Sequence, residues 1–589
     1  MSTISRFLEI SNKGGSVYMH DVKAAFNKEH EKFTLVLHLL NGGLRVFDIP
    51  MPEAKTKEEK RFLQDYFYGR VYNILSMLGG VKMEVYCGSS KYFKDLAEGL
   101  LTAFGVNIPR LKREGYAKCL NVADRMNLAL GAAQFSFELF DGAANIKEQP
   151  EEIFLTDVVS GFKKAADRAM HGRFTGIDIG GTDIKLVGVN NGRLDHIKEY
   201  DWNPSSFKTI DCLTSVVLLL ARMSRALLNL PIELSQEAQK LRKAVLEKDE
   251  PFEAMQRDVV RLETLAGELK GVDGIGVSFP DVVVRDRIVG GETHKTKGVR
   301  EHSKDYESEF KSLTDLNCSL SEYCSANGKV HITNDGPMSA YTAAVELAHS
   351  DKALSVSAGM FAHSLGTELG TGWVDEEGKV PEYPLEVYNC IIDLGNAPAA
   401  GYEAADVRSL NNFNTGLAGT LQRFTGQSGA FRLAEEYYKL TAPNEYAALF
   451  EKGFITKTEK GLIASIAPVD MRKAFLEHLM AQAEQGMPEA MEIFRTIGKC
   501  LAATWLETDE VLRPKCKSRV LFGRFVKKNA VFALMNEGAT ELLPNLTLLA
   551  ADESLAYTKL MCELRDSKEY TVAQFGQAVG SVYFAASML

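Results

Sequence analysis

The side chains whose types and spacing most directly indicate chemistry lie in TGIDIGGTDIKLVGV, residues 175 to 189. A strand pattern runs into Gly180, Gly181 and Thr182 and then continues as a second strand. Glycines at such a bend expose backbone N–H groups, which can donate hydrogen bonds to phosphate oxygens, and the Thr182 hydroxyl is a further donor. The segment therefore predicts a phosphate-binding turn.

Two charged side chains flank this turn. Asp178 lies at the end of the first strand and is a candidate ligand for Mg²⁺ or its waters, since carboxylate oxygens suit this cation. Lys185, in the second strand, can supply positive charge nearby. The same residues also fit an ordinary hairpin loop with a turn aspartate, and the octet alone does not decide between the two interpretations.

The elements that follow residue 170 alternate between strand and helix patterns and predict two α/β lobes. Asn191-Gly192 is a strong turn signal between two of the strands. In chain order, the pattern predicts three strands between 174 and 202, helices over 209–270, a strand at 272–280, a strand at 329–335 with a helix after it, two strands between 355 and 380, helices over 400–510, a strand at 518–523 and a helix at 572–588.

Residues 1 to about 170 form a distinct region. Strands are predicted at 32–40 and 81–88, and an amphipathic helix at 90–106. The region has no metal-ligand spacing, glycine-rich phosphate loop or nucleophile signature. We expect a separate small α/β or α+β domain there, with a role that its residues do not reveal.

Composition restricts the class of protein. The chain has 589 residues, 45% hydrophobic and 25% charged, with a formal charge of −10. The nine cysteines are scattered without a C-x-x-C pair, which is typical of reduced thiols rather than a disulfide framework. The first residues carry no apolar signal segment, and the most apolar run, 213–223, is too short for a membrane span. We expect a soluble, cytoplasmic protein without nucleic-acid or membrane partners.

Six segments, in matching order over about residues 174 to 589, resemble the repressor–ORF–kinase (ROK) family of sugar kinases and regulators within the actin/Hsp70/sugar kinase superfamily. Residues 1–170 lie outside the resemblance. The segments are DIGGTDIK (178–185), similar to the first phosphate loop; GIGVSFPDVVV (274–284); ITNDGPMSAYTAAVE (332–346); LGTELGTGWV (365–374), similar to the second phosphate loop; VLFGRFV (520–526), similar to an adenosine segment; and FGQAVGSVYFAA (575–586), similar to a terminal helix.

The resemblance implies an α/β, two-lobed actin-like ATPase (ribonuclease H-like) fold after the N-terminal domain of residues 1–170. The first lobe would span 171–334, and the second 335–589 with helical insertions and the C-terminal helix. It implies ATP and Mg²⁺ as cofactors and a small, sugar-like substrate; a homodimer is left open.

The resemblance also assigns roles. Asp335 matches the catalytic aspartate, which takes the proton from a sugar hydroxyl as that hydroxyl attacks the γ-phosphate of ATP. Asn334 would hydrogen-bond the sugar. An Asn-Asp pair before a helical run is also good helix-capping sequence, and without the other segments capping is the better interpretation.

The second phosphate loop would be lined by Gly366, Thr367, Gly370 and Gly372, and Gly523 would lie in the adenosine segment. Glu368 departs from the family pattern, which usually has glycine there, and a carboxylate facing a triphosphate is repulsive unless a metal bridges it.

The segments that would bind the sugar acceptor differ further from the family pattern. Asp281 replaces the glycine that usually follows the Phe-Pro pair, and the zinc-binding stretch of many family members is missing. Glu382 or Glu386 would substitute for the sugar-binding glutamate, and we select Glu386. The glycine-flanked loop 290–298, with Thr293, His294 and Lys295, is either part of the substrate site or a solvated loop. His171, His331 and His363 show no metal-ligand spacing and are expected to be structural or surface residues.

We expect an ATP-dependent, hexokinase-like phosphotransferase that acts on a sugar or related hydroxyl acceptor. The alternative is a non-catalytic sugar- or nucleotide-sensing regulator on a degenerate kinase fold, which Glu368, Asp281 and the missing zinc stretch favour. A third hypothesis is a degenerate ATPase behind an N-terminal region that directs oligomerisation or substrate delivery.

Overall fold

The computed structural model describes residues 3–88, 90–146, 148, 157–231, 233–290, 294–366, 369–395, 401–551 and 554–589. The chain divides into two compact units. Unit 1 comprises Met1–Ile153, His363–Thr371 and Glu382–Ala550, and unit 2 comprises Phe154–Ala362, Gly372–Pro381 and Ala551–Leu589.

The strands of the described residues are β1 Lys32–His38, β2 Leu44–Pro50, β3 Lys82–Cys87, β4 Ser136–Asp141, β5 Arg173–Ile179, β6 Asp183–Asn190, β7 Leu194–Asp201, β8 Val272–Phe279, β9 Val283–Val284, β10 Arg287–Ile288, β11 Cys324–Asn334, β12 Met360–Leu365, β13 Leu369–Val374, β14 Ile455–Lys457, β15 Ile463–Ile466, β16 Ser518–Gly523 and β17 Thr547–Ala550.

The α-helices of the same residues are α1 Thr3–Asn12, α2 Met19–Phe26, α3 Lys57–Leu78, α4 Lys91–Ala103, α5 Cys119–Ala129, α6 Val158–Ala169, α7 Ile210–Leu228, α8 Gln236–Leu246, α9 Phe252–Ala266, α10 Lys297–His302, α11 Tyr306–Thr314, α12 Leu316–Ser321, α13 Asp335–Ala348, α14 Gly426–Thr441, α15 Pro443–Glu451, α16 Arg472–Glu484, α17 Pro488–Val511, α18 Asn529–Leu542, α19 Lys559–Arg565 and α20 Val572–Ser587. No helix of the described residues is both long and apolar enough to cross a membrane.

The N-terminal part of unit 1 has its own four-stranded sheet, in the order β2-β1-β3-β4. Strand β1 pairs antiparallel with β2 and β3, and β4 joins β3 in parallel. Helix α3 begins with a capping box in which Thr56 and Glu59 bond each other's backbone N–H groups, so its first turn is satisfied. The predicted strands at 32–40 and 81–88 and the helix at 90–106 are confirmed as β1, β3 and α4.

A separate N-terminal domain is not confirmed, because this sheet and its helices share unit 1 with residues 382–550. Arg70 of α3 is fully buried, and its Nη1 donates to Glu507 Oε2 of α17 at 2.6 Å. Asn73 Nδ2 donates to the Ile391 carbonyl at 2.9 Å. Such buried polar bonds are typical of the interior of a domain rather than a hinge between independent ones. The predicted bounds at residues 170 and 334 stay a prediction.

Unit 2 is built on a five-stranded sheet of order β11-β8-β5-β6-β7. Strands β5, β8 and β11 are parallel, and β6 and β7 extend the sheet antiparallel through hairpins. Helix α20 packs closely on this sheet because its strands carry glycine where the helix crosses: an ideal Cβ on Gly176 or Gly276 would overlap a carbonyl oxygen of α20. Mixed strands and helices confirm the α/β prediction.

Unit 1 carries a second four-stranded sheet, in the order β13-β12-β16-β17. Strand β16 pairs in parallel with β17. The predicted second phosphate loop begins at the end of β12 and continues into β13. Strands β12 and β13 each run across the boundary of the two units, at residues 362–363 and 371–372.

Candidate active site

Three parallel strands of unit 2 end beside one another and carry polar side chains at that edge. Asp178 of β5 is in register with Ser278 of β8, and Ser278 is in register with Thr333 of β11. The carboxyl ends of adjacent parallel strands are the usual place for a ligand site in an α/β sheet. The topology therefore brings Asp178 close to the Asn334-Asp335 pair, which directly follows Thr333.

Asn334 and Asp335 form the start of helix α13. Asn334 is the N-cap, and its Oδ1 accepts from the Gly336 N–H at 2.9 Å, as the capping interpretation expects. Its Nδ2 donates to the Asp281 carbonyl at 2.8 Å. Asp335 Oδ1 also accepts from the Gly336 N–H, at 2.9 Å. Capping and a role in binding are therefore compatible, since the Asp335 carboxylate keeps oxygen lone pairs for a further partner.

A hydrogen-bonded network holds the Asp335 backbone to strand β8. Gln577 of α20 donates through Nε2 to Ser278 Oγ at 2.7 Å and to the Asp335 carbonyl at 3.0 Å. The Ser339 hydroxyl bonds both the Asp335 carbonyl, at 2.9 Å, and Gln577 Oε1, at 2.8 Å. Sequence analysis missed Ser278 and Gln577, although each is a polar residue within an otherwise apolar run.

Both carboxylates have perturbed acidity. Burial raises the pKa of Asp178 to about 6, opposed by the Lys185 charge and by a hydrogen bond with Ser278. The nearby carboxylates of Asp335 and Asp183 raise it further. Burial also raises the pKa of Asp335, and the positive charge of Lys295 opposes that rise. Two acidic side chains whose pKa values are raised in one place are typical of functional sites.

The glycine turn lies next to these carboxylates. Strands β5 and β6 pair up to Ile179 and Ile184, and the Gly180 N–H donates to the Asp183 carbonyl at 2.8 Å. Trp202 forms two hydrogen bonds with the turn. Its indole N–H donates to the Gly180 carbonyl at 3.1 Å, and its backbone N–H donates to the Thr182 carbonyl at 3.0 Å. Trp202 therefore positions the turn through the carbonyl groups of Gly180 and Thr182. Sequence analysis did not single out Trp202.

The two lysines near the turn differ in their partners. Lys185 forms an ion pair with Asp183, two residues before it on the same strand. Lys295 makes no ion pair within the described part of the chain, and its Cε lies 3.9 Å from the point that a Cβ on Gly181 would occupy. Since Lys295 also acts electrostatically on Asp335, it is the cation that lies between the turn and this carboxylate.

We expect the raised pKa of Asp178 to make magnesium-dependent nucleotide binding sensitive to acid. A carboxyl group with a pKa of about 6 is protonated below that pH and then cannot hold a cation, so the Mg²⁺ concentration for half-maximal binding of an ATP analogue should rise about tenfold between pH 7 and pH 5. The measurement is equilibrium dialysis at several pH values. Asp178→Asn is the control, because it retains only the titration of the nucleotide; a pH response as large as that of the unaltered protein would contradict the assignment.

We expect Trp202→Phe to weaken nucleotide binding about three- to tenfold, because it removes one hydrogen bond to the turn and keeps an aromatic ring. Titration with an ATP analogue measures the change. Phe207→Leu is the matched control, since the Phe207 ring contacts the same indole edge-on at 6.0 Å and leaves its N–H bond intact. A loss of affinity equal in the two variants would mean that packing, and not the N–H bond, positions the turn.

Of the remaining predicted phosphate residues, unit 1 contains Gly366, Gly370 and Gly523, and Gly372 belongs to unit 2. Gly366 follows β12, and its carbonyl accepts from the Gln427 N–H at 3.2 Å, at the start of α14. Gly523 ends β16 with φ of 106° and lies so close to the Leu365 carbonyl that a side chain would overlap it. Gly370 is in β13. Gly366 and Gly523 therefore lie side by side at one end of the sheet. Thr367, Glu368 and Thr293 lie outside the described residues.

A buried histidine links strands β12 and β13. His363 of β12 and Thr371 of β13 face each other, with Nδ1 and the hydroxyl 3.2 Å apart. The Trp505 indole N–H of α17 donates to His363 Nε2 at 2.6 Å, so Nδ1 carries the ring proton. Burial lowers the pKa of His363 to about 3, and the ring stays neutral. This agrees with the prediction of a structural histidine.

The predicted acceptor residue in unit 1 is part of a polar network. Glu386 Oε2 accepts from Asn389 Nδ2 at 3.0 Å, and Asn389 Oδ1 accepts from Asn412 Nδ2 at 2.9 Å. The Glu386 N–H donates to the Ser76 carbonyl of α3 at 3.0 Å. Glu386 is half-buried. Its role as an acceptor ligand stays a prediction.

The residues around Asp178 fit a cation that arrives with a nucleotide. Among the described residues, no group of three or more His, Cys, Asp or Glu side chains is arranged to hold a metal ion by itself. Mg²⁺ usually binds through one or two carboxylates, substrate phosphates and waters, and does not need a complete protein cage. Asp178, the last polar residue of β5 before the turn, matches that donor set.

No protein-family model matches the chain, and no curated protein matches it. Solved structures do. A ROK family glucokinase from Streptomyces griseus, in complex with glucose and AMPPNP, is 14% identical over 70% of this chain and 98% of its own, with a TM-score of 0.37. A ROK hexokinase from Thermus thermophilus is 14% identical over 67% and 98%, with a TM-score of 0.35. A putative N-acetylmannosamine kinase from Listeria monocytogenes is 13% identical over 70% and 98%, with a TM-score of 0.37.

Similarity of this degree assigns no activity to the chain. What the chain is similar to, in its sequence segments and in solved structures alike, is the ROK family of sugar kinases and glucokinases.

Proposed function

We propose that this protein transfers the γ-phosphate of ATP to a hydroxyl group of a sugar or related polyol, with Asp335 as the catalytic base. The observation that carries the proposal is the pair of carboxylates Asp178 and Asp335 at the carboxyl ends of β5 and β11, beside the glycine turn of residues 180–182. A phosphate-binding turn, a cation ligand and a base are the three parts that phosphoryl transfer requires.

Asp335 acts on the acceptor. Its carboxylate accepts the hydroxyl proton as the acceptor oxygen attacks the terminal phosphorus, and it orients that oxygen for in-line attack. The raised pKa of Asp335 increases its affinity for this proton. The Gly336 N–H and the Gln577 amide keep the residue in place, so little reorganisation is required during the reaction.

The turn and two side chains bind the nucleotide. Backbone N–H groups of Gly181 and Thr182 donate to phosphate oxygens, and Asp178 holds Mg²⁺ or its waters. When bound, Mg²⁺ neutralises charge on the phosphates. Lys295, between the turn and Asp335, supplies positive charge where the transferred group passes from donor to acceptor.

The proposal is tested by measuring ADP release from Mg·ATP with a panel of hexoses, amino sugars and polyols. We expect one class of acceptor to raise ADP release at least a hundredfold above the rate with water alone, because the base acts on a bound hydroxyl. Lys295→Ala in the same assay should lower the rate more than Lys304→Ala, a lysine of the same unit outside the site. If no acceptor in the panel stimulates ADP release, the proposed transfer is wrong.

A sensor function is the second candidate, and Asp281 is the described residue that favours it. Asp281 lies next to Asn334, where it adds a carboxylate to the acceptor side, and Val282 N–H donates to its Oδ1 at 2.8 Å. Nucleotide binding with no turnover for any acceptor would identify the protein as a sensor.

A further inference from the structure

Gln577 of helix α20 lies on the face of the sheet from which the candidate site is built. Helix α20 packs against Gly176 and Gly276, since an ideal Cβ on either would overlap a carbonyl oxygen of the helix. Because residues two apart on a strand point to the same face, Asp178 and Ser278 point to the face that α20 covers. The Gln577 side chain reaches this face, where its Nε2 is 2.7 Å from Ser278 Oγ.

The hydrogen bonds of the Gln577 amide fix which of its two ends faces the strands. Nε2 donates to Ser278 Oγ at 2.7 Å and to the Asp335 carbonyl at 3.0 Å, and Oε1 accepts from the Ser339 hydroxyl at 2.8 Å. A carbonyl oxygen only accepts, so the opposite orientation would place Oε1 against the Asp335 carbonyl with no proton between the two oxygens. The amide therefore donates to Ser278.

This bond determines where the Ser278 hydroxyl proton goes. Ser278 is fully buried, and a buried hydroxyl is normally hydrogen-bonded. Since its Oγ already accepts from Gln577, its one proton is left for another acceptor. Asp178 lies beside Ser278 in register on β5, and its carboxylate is a hydrogen-bonding partner of the Ser278 side chain. The bonds therefore run in one direction, from Gln577 through Ser278 to Asp178.

We propose that Gln577 is a positioning residue for the cation of the nucleotide: it holds the Ser278 hydroxyl toward Asp178, and so orients that carboxylate to bind Mg²⁺ or its waters. Since Asp178 is a cation ligand only in the proposed function, the positioning role rests on that function. A partner that donates to a metal-binding carboxylate fixes its orientation, and loss of such a partner typically weakens metal binding by about 10- to 100-fold.

The same amide also contacts the acceptor side of the site. Its Nε2 donates to the carbonyl of Asp335, the proposed base, while its other bond leads through Ser278 to Asp178. One side chain, which touches neither nucleotide nor acceptor in the proposed reaction, thus positions the cation ligand and the base relative to each other. Both carboxylates must be correctly placed for in-line transfer of a phosphoryl group.

A purely structural role for Gln577 leads to a different expectation. In that case its bonds only fasten α20 to the sheet, and loss of the amide would weaken folding and all nucleotide binding, with or without Mg²⁺. If Gln577 instead acts through Ser278, its loss changes the magnesium requirement alone, and only while the Ser278 hydroxyl is present. Magnesium titration of single and double variants therefore separates the two roles.

The test is a double-mutant cycle on the full chain, measured as the Mg²⁺ concentration for half-maximal binding of an ATP analogue in equilibrium dialysis. Ser278→Ala should raise this concentration about tenfold, because Asp178 loses its donor, and Gln577→Met should raise it about three- to tenfold. The double variant should stay within about twofold of Ser278→Ala, whereas independent effects would multiply to about 30- to 100-fold. Binding of the analogue without Mg²⁺ should change less than about twofold in all three variants.

Gln574→Met is the matched control. Gln574 is an exposed glutamine three residues earlier in the same helix, and its side chain bonds Thr571 in the helix capping box. Its replacement should leave the magnesium requirement within about twofold, because it has no bond to the strands that carry the site. Urea unfolding verifies that each variant is folded. If Gln577→Met does not fold, Ser278→Ala still tests the bond to Asp178.

The positioning role of Gln577 is excluded if the two effects multiply in the double variant, or if either single variant leaves the magnesium requirement unchanged. If the unaltered protein shows no magnesium-dependent binding, Asp178 is not a cation ligand, and this role of Gln577 is excluded with it. If magnesium-dependent binding is intact but no acceptor receives phosphate, the transfer reaction alone is wrong, and the result of the cycle stands.

Discussion

Replacement of Asp335 by asparagine is expected to lower acceptor-dependent ADP release by a factor of about 100 to 10,000, because the amide cannot take the hydroxyl proton. Nucleotide affinity should change by less than about threefold, since Asp178, the glycine turn and Trp202 are untouched. Asparagine has the same shape as aspartate, and its Oδ1 can still accept from the Gly336 N–H. The burial that raises the pKa of Asp335 favours a neutral side chain, so folding should not suffer.

Asp315→Asn is the matched control for this variant. Asp315 is a partly exposed carboxylate of the same unit, 3.4 Å from Arg287, and its neutralisation should leave turnover within about twofold. Coupled measurement of ADP and equilibrium titration with an ATP analogue give the two quantities. If Asp335→Asn keeps more than a tenth of the activity, Asp335 is a capping residue and another group is the base.

The second large effect is expected on folding, from Gly276→Ala in the middle of strand β8. A Cβ at this position would overlap the Ser581 carbonyl of α20, a backbone atom that cannot move aside as a flexible side chain does. We expect the free energy of unfolding to fall by about 3 kcal/mol or more. Activity should fall as well, because displacement of α20 separates Gln577 from Ser278, now 2.7 Å apart.

Gly161→Ala is the matched control, because a Cβ on this residue of α6 meets open space. Alanine forms helix better than glycine, so this variant should be neutral or more stable by up to about 1 kcal/mol. Urea unfolding followed by circular dichroism compares the two. Equal stability of Gly276→Ala and the unaltered protein would mean that α20 does not depend on close contact with the sheet.

The elements that carry the site were predictable because their patterns are local. Apolar strands before Asp178 and Asp335, and the turn between β5 and β6, follow from the alternation and glycine content of short segments. The parallel order β11-β8-β5 could not be predicted from the segments one by one, and it is this order that brings Asp178 and Asp335 to one edge. The resemblance to a known family, and not the segments themselves, predicted that Asp178 and Asp335 lie in one site.

The remaining features depend on partners that are distant in sequence. Arg70 and Glu507 are 437 positions apart, and no pattern in residues 1–170 reveals that their helices pack against α17. The sequence does not show that Lys185 forms an ion pair with Asp183, and its role at the phosphate stays a prediction. Lys295, in a loop that fits a solvated segment equally well, lies near Asp335. Charge and spacing in the sequence identify lysines that could bind phosphate. Which of these lysines forms an ion pair with a neighbouring carboxylate depends on the packing around them.

The most direct test of the account is to follow the terminal phosphate of ATP by ³¹P NMR, with the full chain, Mg²⁺ and the acceptor that stimulates ADP release. The account predicts one new phosphate monoester resonance that grows in step with ADP, and its absence when Asp335 is replaced by asparagine. Inorganic phosphate appearing in step with ADP, with no ester formed, would contradict transfer to a hydroxyl acceptor and would make the protein an ATPase.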